Sequence, residues 1–338
     1  MDFRFFRHFV IQLNFREMRI ILAVCLPVIC MCFACDSELV TDKVTGESKL
    51  VLYCIPSNTS DTTFIQLLWS KPLNGNQVSE RSIAGTMISF CLNGEERAIE
   101  SADKLAGHRP ENTFYTVGTL KEGDEIEVRV SCPGIPVITA RTIIPSAFPL
   151  EKVEGFSKAI LGKTAVGFRI TFQDCATTKD YYGIKILCKT LPEESTQREA
   201  CQSTVKSLAL NVESEPLMND KFEVDDIFYL SNYYYRNLYI YEDEKISGQT
   251  YTLNFDFMAQ NTSTSVSGKV FYKVVLFTLS KELYKYLWSV NRLNNNELGK
   301  VGLAPIYKKY TNVVNGVGIV GACNIYETEW MDASLFCK

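Results

Sequence analysis

The run Glu125-Ile126-Glu127-Val128-Arg129-Val130-Ser131-Cys132 decides the fold class. Ile126, Val128, Val130 and Cys132 share one face, and Glu125, Glu127, Arg129 and Ser131 share the other. That alternation is the signature of a strand with one buried and one wet side. Short runs of the same kind, bounded by turn residues, recur at 49–55, 64–70, Met87–Leu92, 114–117 and 138–144. Asn93-Gly94 and Glu122-Gly123-Asp124 are turn sequences that re-aim the chain between them. Strands at this spacing predict an immunoglobulin-like β-sandwich over 36–145. The likeness is architectural only, because the antibody pattern of cysteine, tryptophan and cysteine is missing.

Beyond this region the pattern is interrupted by PSAFP at 145–149, which places a hinge at 146–150 and a second β-rich domain at 151–338. Strand candidates there are 167–172, 182–190, 249–258 and 269–278. One late α-helix is expected: Ser280 can cap it, Lys281 begins it, and Glu282 sits in its first turn, where the helix dipole favours an acid. Leu283, Leu287 and Val290 form its apolar stripe, and Asn294-Asn295-Asn296 should end it. The tyrosine-rich stretch 219–243 reads as loop, and Gly316, Gly318 and Gly321 read as a tight turn or close backbone approach before a final strand.

Residues 1–35 read as a lipoprotein signal peptide. Arg4, Arg7, Arg16 and Arg19 supply a basic start, and no acidic residue follows Arg19 until Asp36. Between them lies an uncharged apolar run, 20–34, of about 15 residues, short of the roughly 20 that span a bilayer. It ends in Cys32-Phe33-Ala34-Cys35, a small residue before a cysteine, although Cys32 stands where a lipobox usually has leucine. Cys35 is therefore the expected lipidation site, carrying diacylglycerol on its thiol and an acyl chain such as palmitate on the new amine. At about 0.8 kcal/mol per buried methylene, several such chains anchor permanently. An internal start at Met18 would leave a compact Met-Arg-Ile-Ile signal. The alternative is a plain secretory signal with Cys35 an ordinary thiol.

Hydrophobic residues make up 46% of the chain and the formal net charge is only −4, so the chain folds and nucleic acid is not an expected partner. Eight cysteines follow Cys35, with no CxxC pair among them, which argues against a zinc ribbon. Cys188 with Cys201 and Cys323 with Cys337 are the candidate disulfides, and small buried hydrophobes are the alternative. After the signal only His108 remains for histidine chemistry, and no GxSxG, HExxH, P-loop or GxGxxG signature occurs. No catalytic residue, metal or organic cofactor is expected. Asp225, Asp226, Glu242, Asp243 and Glu244 lack the EF-hand order and read as a solvated acidic loop. Tyr229, Tyr233, Tyr234, Tyr235, Tyr239 and Tyr241 are the candidate binding residues, with strand residues packed at the domain interface as the equal alternative.

Five segments, in order, resemble a family of Bacteroidota outer-membrane lipoproteins known as domain of unknown function 4249. They are Lys121-Glu122-Gly123-Asp124 with Pro133-Gly134 and Thr142-Ile143-Ile144-Pro145; Phe172, Asp174, Asp180, Tyr181 and Tyr182; Asp243 through Thr252; Leu279-Ser280 with Glu282, Tyr284 and Tyr286; and Pro305, Asn312, Asn315-Gly316, Gly318-Ile319 and Gly321. Val320 stands where the family commonly has phenylalanine. The resemblance implies a lipid-anchored protein of the outer membrane, exposed on the cell surface or facing the periplasm, with a TonB-dependent transporter as partner. It implies no reaction. The expected role is a non-enzymatic binding or accessory protein; a cell-surface adhesin or structural protein is the second class, and a glycan or peptide hydrolase the third.

Overall fold

A computed structural model describes residues 48–70, 83–105, 110–160, 162–192, 204–218, 237–259, 268–296, 299 and 307–336. The signal segment and Cys35 lie outside them. The first half supplies β1 (Leu50–Cys54), β2 (Thr62–Trp69), β3 (Met87–Leu92), β4 (Glu95–Arg97), β5 (Glu100–Ser101), β6 (Thr113–Val117), β7 (Glu125–Ser131) and β8 (Ile138–Ile143). The second supplies β9 (Leu150–Ile160), β10 (Lys163–Gln173), β11 (Tyr181–Pro192), β12 (Thr204–Ser207), β13 (Tyr239–Glu242), β14 (Thr250–Met258), β15 (Gly268–Leu279), α1 (Lys281–Asn294), β16 (Val317–Val320), β17 (Cys323–Glu327) and β18 (Met331–Asp332). The protein is mostly β, as the alternation predicts, and α1 is the one long helix among the described residues. Among the described residues no helix is long and apolar enough to cross a membrane.

The N-terminal sandwich consists of sheet β4-β3-β7-β8 and sheet β16-β1-β2-β6-β5. Its core is drawn from inward positions of both, including Leu52, Ile65, Leu67, Phe90, Ile126, Val128, Val130 and Ile138. The Asn93-Gly94 turn has φ of 52° and 86°, the left-handed pair that a tight hairpin between β3 and β4 requires. One strand comes from far away in sequence. β16 lies parallel to β1, with Leu52 opposite Gly318, and so adds a strand from the last quarter of the chain to a sandwich otherwise made by residues before 145.

The second β-rich part packs sheet β14-β10-β9 against sheet β12-β11-β15-β17, with Phe168, Phe172, Tyr182, Ile186, Phe255, Tyr272 and Leu276 between them. The opposite face of β11 and β15 is covered by α1 through Leu283, Tyr286, Leu287 and Val290. Because β15 is buried on both faces, its sequence runs Val274-Val275-Leu276-Phe277 without alternation. Ser280 caps α1 by accepting from the Leu283 N–H at 3.3 Å, and the same oxygen accepts from the Ala322 N–H at 3.0 Å. Such a cap is worth about 1 kcal/mol, and here it also ties the helix start to the strand crossing. The helix ends at Asn294, within the asparagine triplet.

Among the elements absent from the sequence expectation, two have a clear physical reason. β9 is an eleven-residue strand at a sheet edge whose side chains are mostly exposed or half-buried, so no apolar alternation marks it. β13 lies in the stretch read as loop: Tyr239 and Tyr241 point into the core while Ile240 and Glu242 face outward from it, a two-residue period hidden by the polar hydroxyls.

Lys185, in β11, is only 1% exposed. Burial pushes its ammonium down to about 8, with the Glu327 carboxylate partly opposing the change. A lysine whose folded value lies below its unfolded one costs stability while it is charged, and the cost is relieved as pH rises from about 8 toward 10.5. Lys185→Met is therefore expected to raise the melting temperature at neutral pH, by the equivalent of roughly 2 kcal/mol. The gain should fade in melts above about pH 10. Destabilisation at neutral pH would contradict this reading of the site.

Candidate functional site

An open cleft of about 1110 Å³ lies among the described residues. One wall is the outer face of β7 and β8, with Glu125, Glu127, Arg141 and Ile143. The Glu122-Gly123 turn and Pro145-Ser146 form its end, and Thr178–Tyr181 with Ser280–Glu282 form the far wall. Gly123, at φ 81°, lets this turn fold back so that its N–H donates to the Ile144 carbonyl at 2.9 Å. The cleft floor carries both signs of charge. Arg129 and Arg141 reach Glu127 at 2.6 and 3.0 Å, and the Arg129 guanidinium first, then Arg141, hold that carboxyl below its ordinary value. Tyr181, 7% exposed at the far wall, stacks on Tyr284 with centroids 4.6 Å apart, which fixes that wall against α1.

Behind this wall, Asp174, Asp180 and Asp243 bring carboxylate oxygens within 4.8 Å of one another. Asp174 accepts from the Tyr182 hydroxyl at 2.7 Å and the Gly248 N–H at 2.9 Å. Asp243 accepts from the Asp180 N–H at 2.7 Å, and Asp180 from the Thr178 hydroxyl at 2.6 Å. An all-oxygen set of this kind suits a hard cation rather than a transition metal. In the structure the three side chains fasten the loops that follow β10, precede β11 and follow β13. Burial, reinforced by the charges of Asp174 and Asp243, pushes the Asp180 carboxyl upward against the opposing Thr178 bond.

The residues singled out from sequence scatter. Tyr239 and Tyr241 are each 2% exposed and belong to the core of the second β-rich part, beneath β11, and not to a seam between the two parts. Tyr229, Tyr233, Tyr234 and Tyr235 lie outside the described residues, as do His108, Asp225, Asp226, Cys201, Cys337 and Cys35. Cys188 is a buried thiol whose burial raises its pKa, and Cys323 is buried where β17 begins. Asp243 turns inward to Asp174 and Asp180 and away from the acidic loop to which its neighbours Glu242 and Glu244 assign it. The signal available for that meeting was the presence of Asp174 and Asp180 in one motif segment and Asp243 in the next.

A mostly-β protein with two packed sheet pairs, a covering helix and an open charged cleft is the class this geometry defines. Residues 36–329 match the family described as domain of unknown function (DUF4249), and the chain belongs to that family. No curated protein matches it. Among solved structures, one described as "The Enterococcus faecalis MSCRAMM ACE binds its ligands by the collagen Hug Model" covers 71% of this chain and 91% of its own, at 8% identity and a TM-score of 0.17. At that score it carries no argument.

A carboxyl raised above its ordinary 3.8 costs stability when ionised, and the penalty is relieved as pH falls through the raised folded value toward 3.8. Asp180→Asn, which removes one of three crowded charges and keeps an acceptor for Thr178, should therefore raise the melting temperature in chelator-treated neutral buffer. The gain should shrink in acid. A lower melting point at neutral pH would show that the Asp180 charge is stabilising.

Proposed function

We propose that this chain is a lipid-anchored outer-membrane protein that acts as a non-enzymatic binding or accessory subunit beside a TonB-dependent transporter. The observation that carries the binding role is the cleft. It is built from Glu122-Gly123, Ile144-Pro145, Asp180-Tyr181 and Leu279-Ser280 with Glu282, residues drawn from three of the five segments by which the chain resembles its family. Its walls combine charged groups of both signs with apolar Ile143 and Pro145, the makings of a recognition surface. Glu127, the carboxylate most enclosed by partners, is already engaged by two guanidinium groups, which suits binding better than proton transfer. Membrane attachment is supported by the basic start, the short apolar run and Ala34-Cys35.

Two measurements test the two halves of this reading. Cys35→Ala should move the protein out of the detergent phase and abolish labelling with an alkyne fatty acid; undiminished labelling would refute the anchor. Arg141→Ala with Lys179→Ala should leave the melting temperature nearly unchanged, because exposed ion pairs contribute only about 0–1 kcal/mol. The same double variant should recover at least about tenfold less β-barrel protein from native membranes, the equivalent of 1.4 kcal/mol. Recovery equal to wild type would remove the cleft from the binding role.

A further inference from the structure

A second, smaller pocket lies on the other side of Tyr284, between α1 and the edge strand β13. It encloses about 170 Å³, room for one small ring and well below the roughly 300–1,000 Å³ of sites for drug-sized ligands. Tyr284, Trp288 and Asn291 line it from α1, spaced so that all three fall on one side of the helix. Glu242, Glu244 and Lys245 line it from β13 and the turn that follows.

The aromatic walls are held in place from outside the pocket. Tyr284 rests against Tyr181, and the Arg292 guanidinium sits 4.5 Å from the Trp288 ring centre and 3.9 Å from that of Tyr307. Trp288 nonetheless remains 41% exposed. Asn291 is 5% exposed, and its Oδ1 accepts from Asn295 Nδ2 at 2.7 Å. Its own Nδ2 donates to no group among the described residues, which leaves its N–H groups available to a ligand in the pocket. Lys245 spends one N–H on the Pro216 carbonyl at 3.0 Å and keeps others. Glu244 makes no ion pair among the described residues.

We propose that this pocket binds a single neutral pyranose ring, as the end or one unit of a glycan. A bare cation would leave the Asn291 and Lys245 donors unmatched, and an anion would face Glu242 and Glu244. Ring hydroxyls donate and accept at once, so a pyranose can use both sets. The C–H face of the ring would lie on Trp288 or Tyr284. Pre-positioned aromatic rings reduce the ordering cost that usually weakens small ligands. The proposal stands apart from the cleft and from the membrane anchor, so its failure leaves those untouched.

The test uses the purified full chain in detergent, with saturation-transfer NMR and calorimetric titration against methyl glycosides of glucose, mannose, galactose and N-acetylglucosamine. At least one should bind saturably. Trp288→Ala and Glu244→Ala, both at exposed positions, should each weaken that binding by about tenfold or more with unchanged melting curves. Saturable binding by none of the glycosides, binding undiminished in both variants, or displacement of the glycoside by methylammonium or inorganic phosphate would overturn the proposal.

Discussion

Parallel pairing between β1 and β16 is the constraint on which the rest of the structure depends. Gly318 faces Leu52 at φ 110°, and a Cβ there would collide with the Leu52 carbonyl oxygen. Only a residue without a side chain lets the two backbones close into a ladder. Two residues later the chain leaves this sheet: the Gly321 N–H donates to Cys54, the Cys323 N–H to Pro56, and β17 joins β15. Consecutive strands therefore belong to the sheets of the two β-rich parts, with Gly321-Ala322 between them. Gly321 is itself pressed against Leu283 at the start of α1, so helix, sandwich and central sheet meet at one point.

Asparagine side chains complete this junction. Asn312 donates to the Val320 and Arg141 carbonyls and accepts from the Val320 N–H, bonding the approach segment to both β16 and β8. Asn315 donates to Val137, Asn324 to Pro145, and Asn58 exchanges hydrogen bonds with Ile325. Each satisfies backbone groups that neither sheet reaches, and a buried backbone group left unpaired costs about 1–3 kcal/mol. Many of the motif residues are explained in this way: Asp174, Asp243, Ser280 and Asn312 are fasteners for loops and caps. Their arrangement leaves the cleft open on one side of the junction and the aromatic pocket on another.

How far the sequence could be read depends on which faces each element buries. β3 and β7 have one wet and one dry face, and their alternation marked them almost to the residue. α1 was legible from both ends because Ser280 and the asparagine triplet are chemical signals for starting and stopping a helix. β9 was not, because an edge strand whose half-buried residues do not alternate has no hydrophobic period. β13 was missed because tyrosines count as polar in a pattern while their rings bury fully. Gly318 was recognised as a close-approach glycine, but the strand it approaches lies more than 250 residues away in sequence, beyond any local pattern. The cleft and the aspartate cluster are hidden for the same reason: their residues come from distant segments, and only the tertiary fold brings them together.

Hydrogen–deuterium exchange on Gly318→Val tests this dependence most directly. A valine there must either push the Leu52 carbonyl away or leave the ladder. If β16 closes the N-terminal sandwich, amides of β1, β2 and β7 should lose protection together, while those of β10 and β14 keep theirs. Loss confined to residues 317–320, with the sandwich as protected as in wild type, would contradict the account.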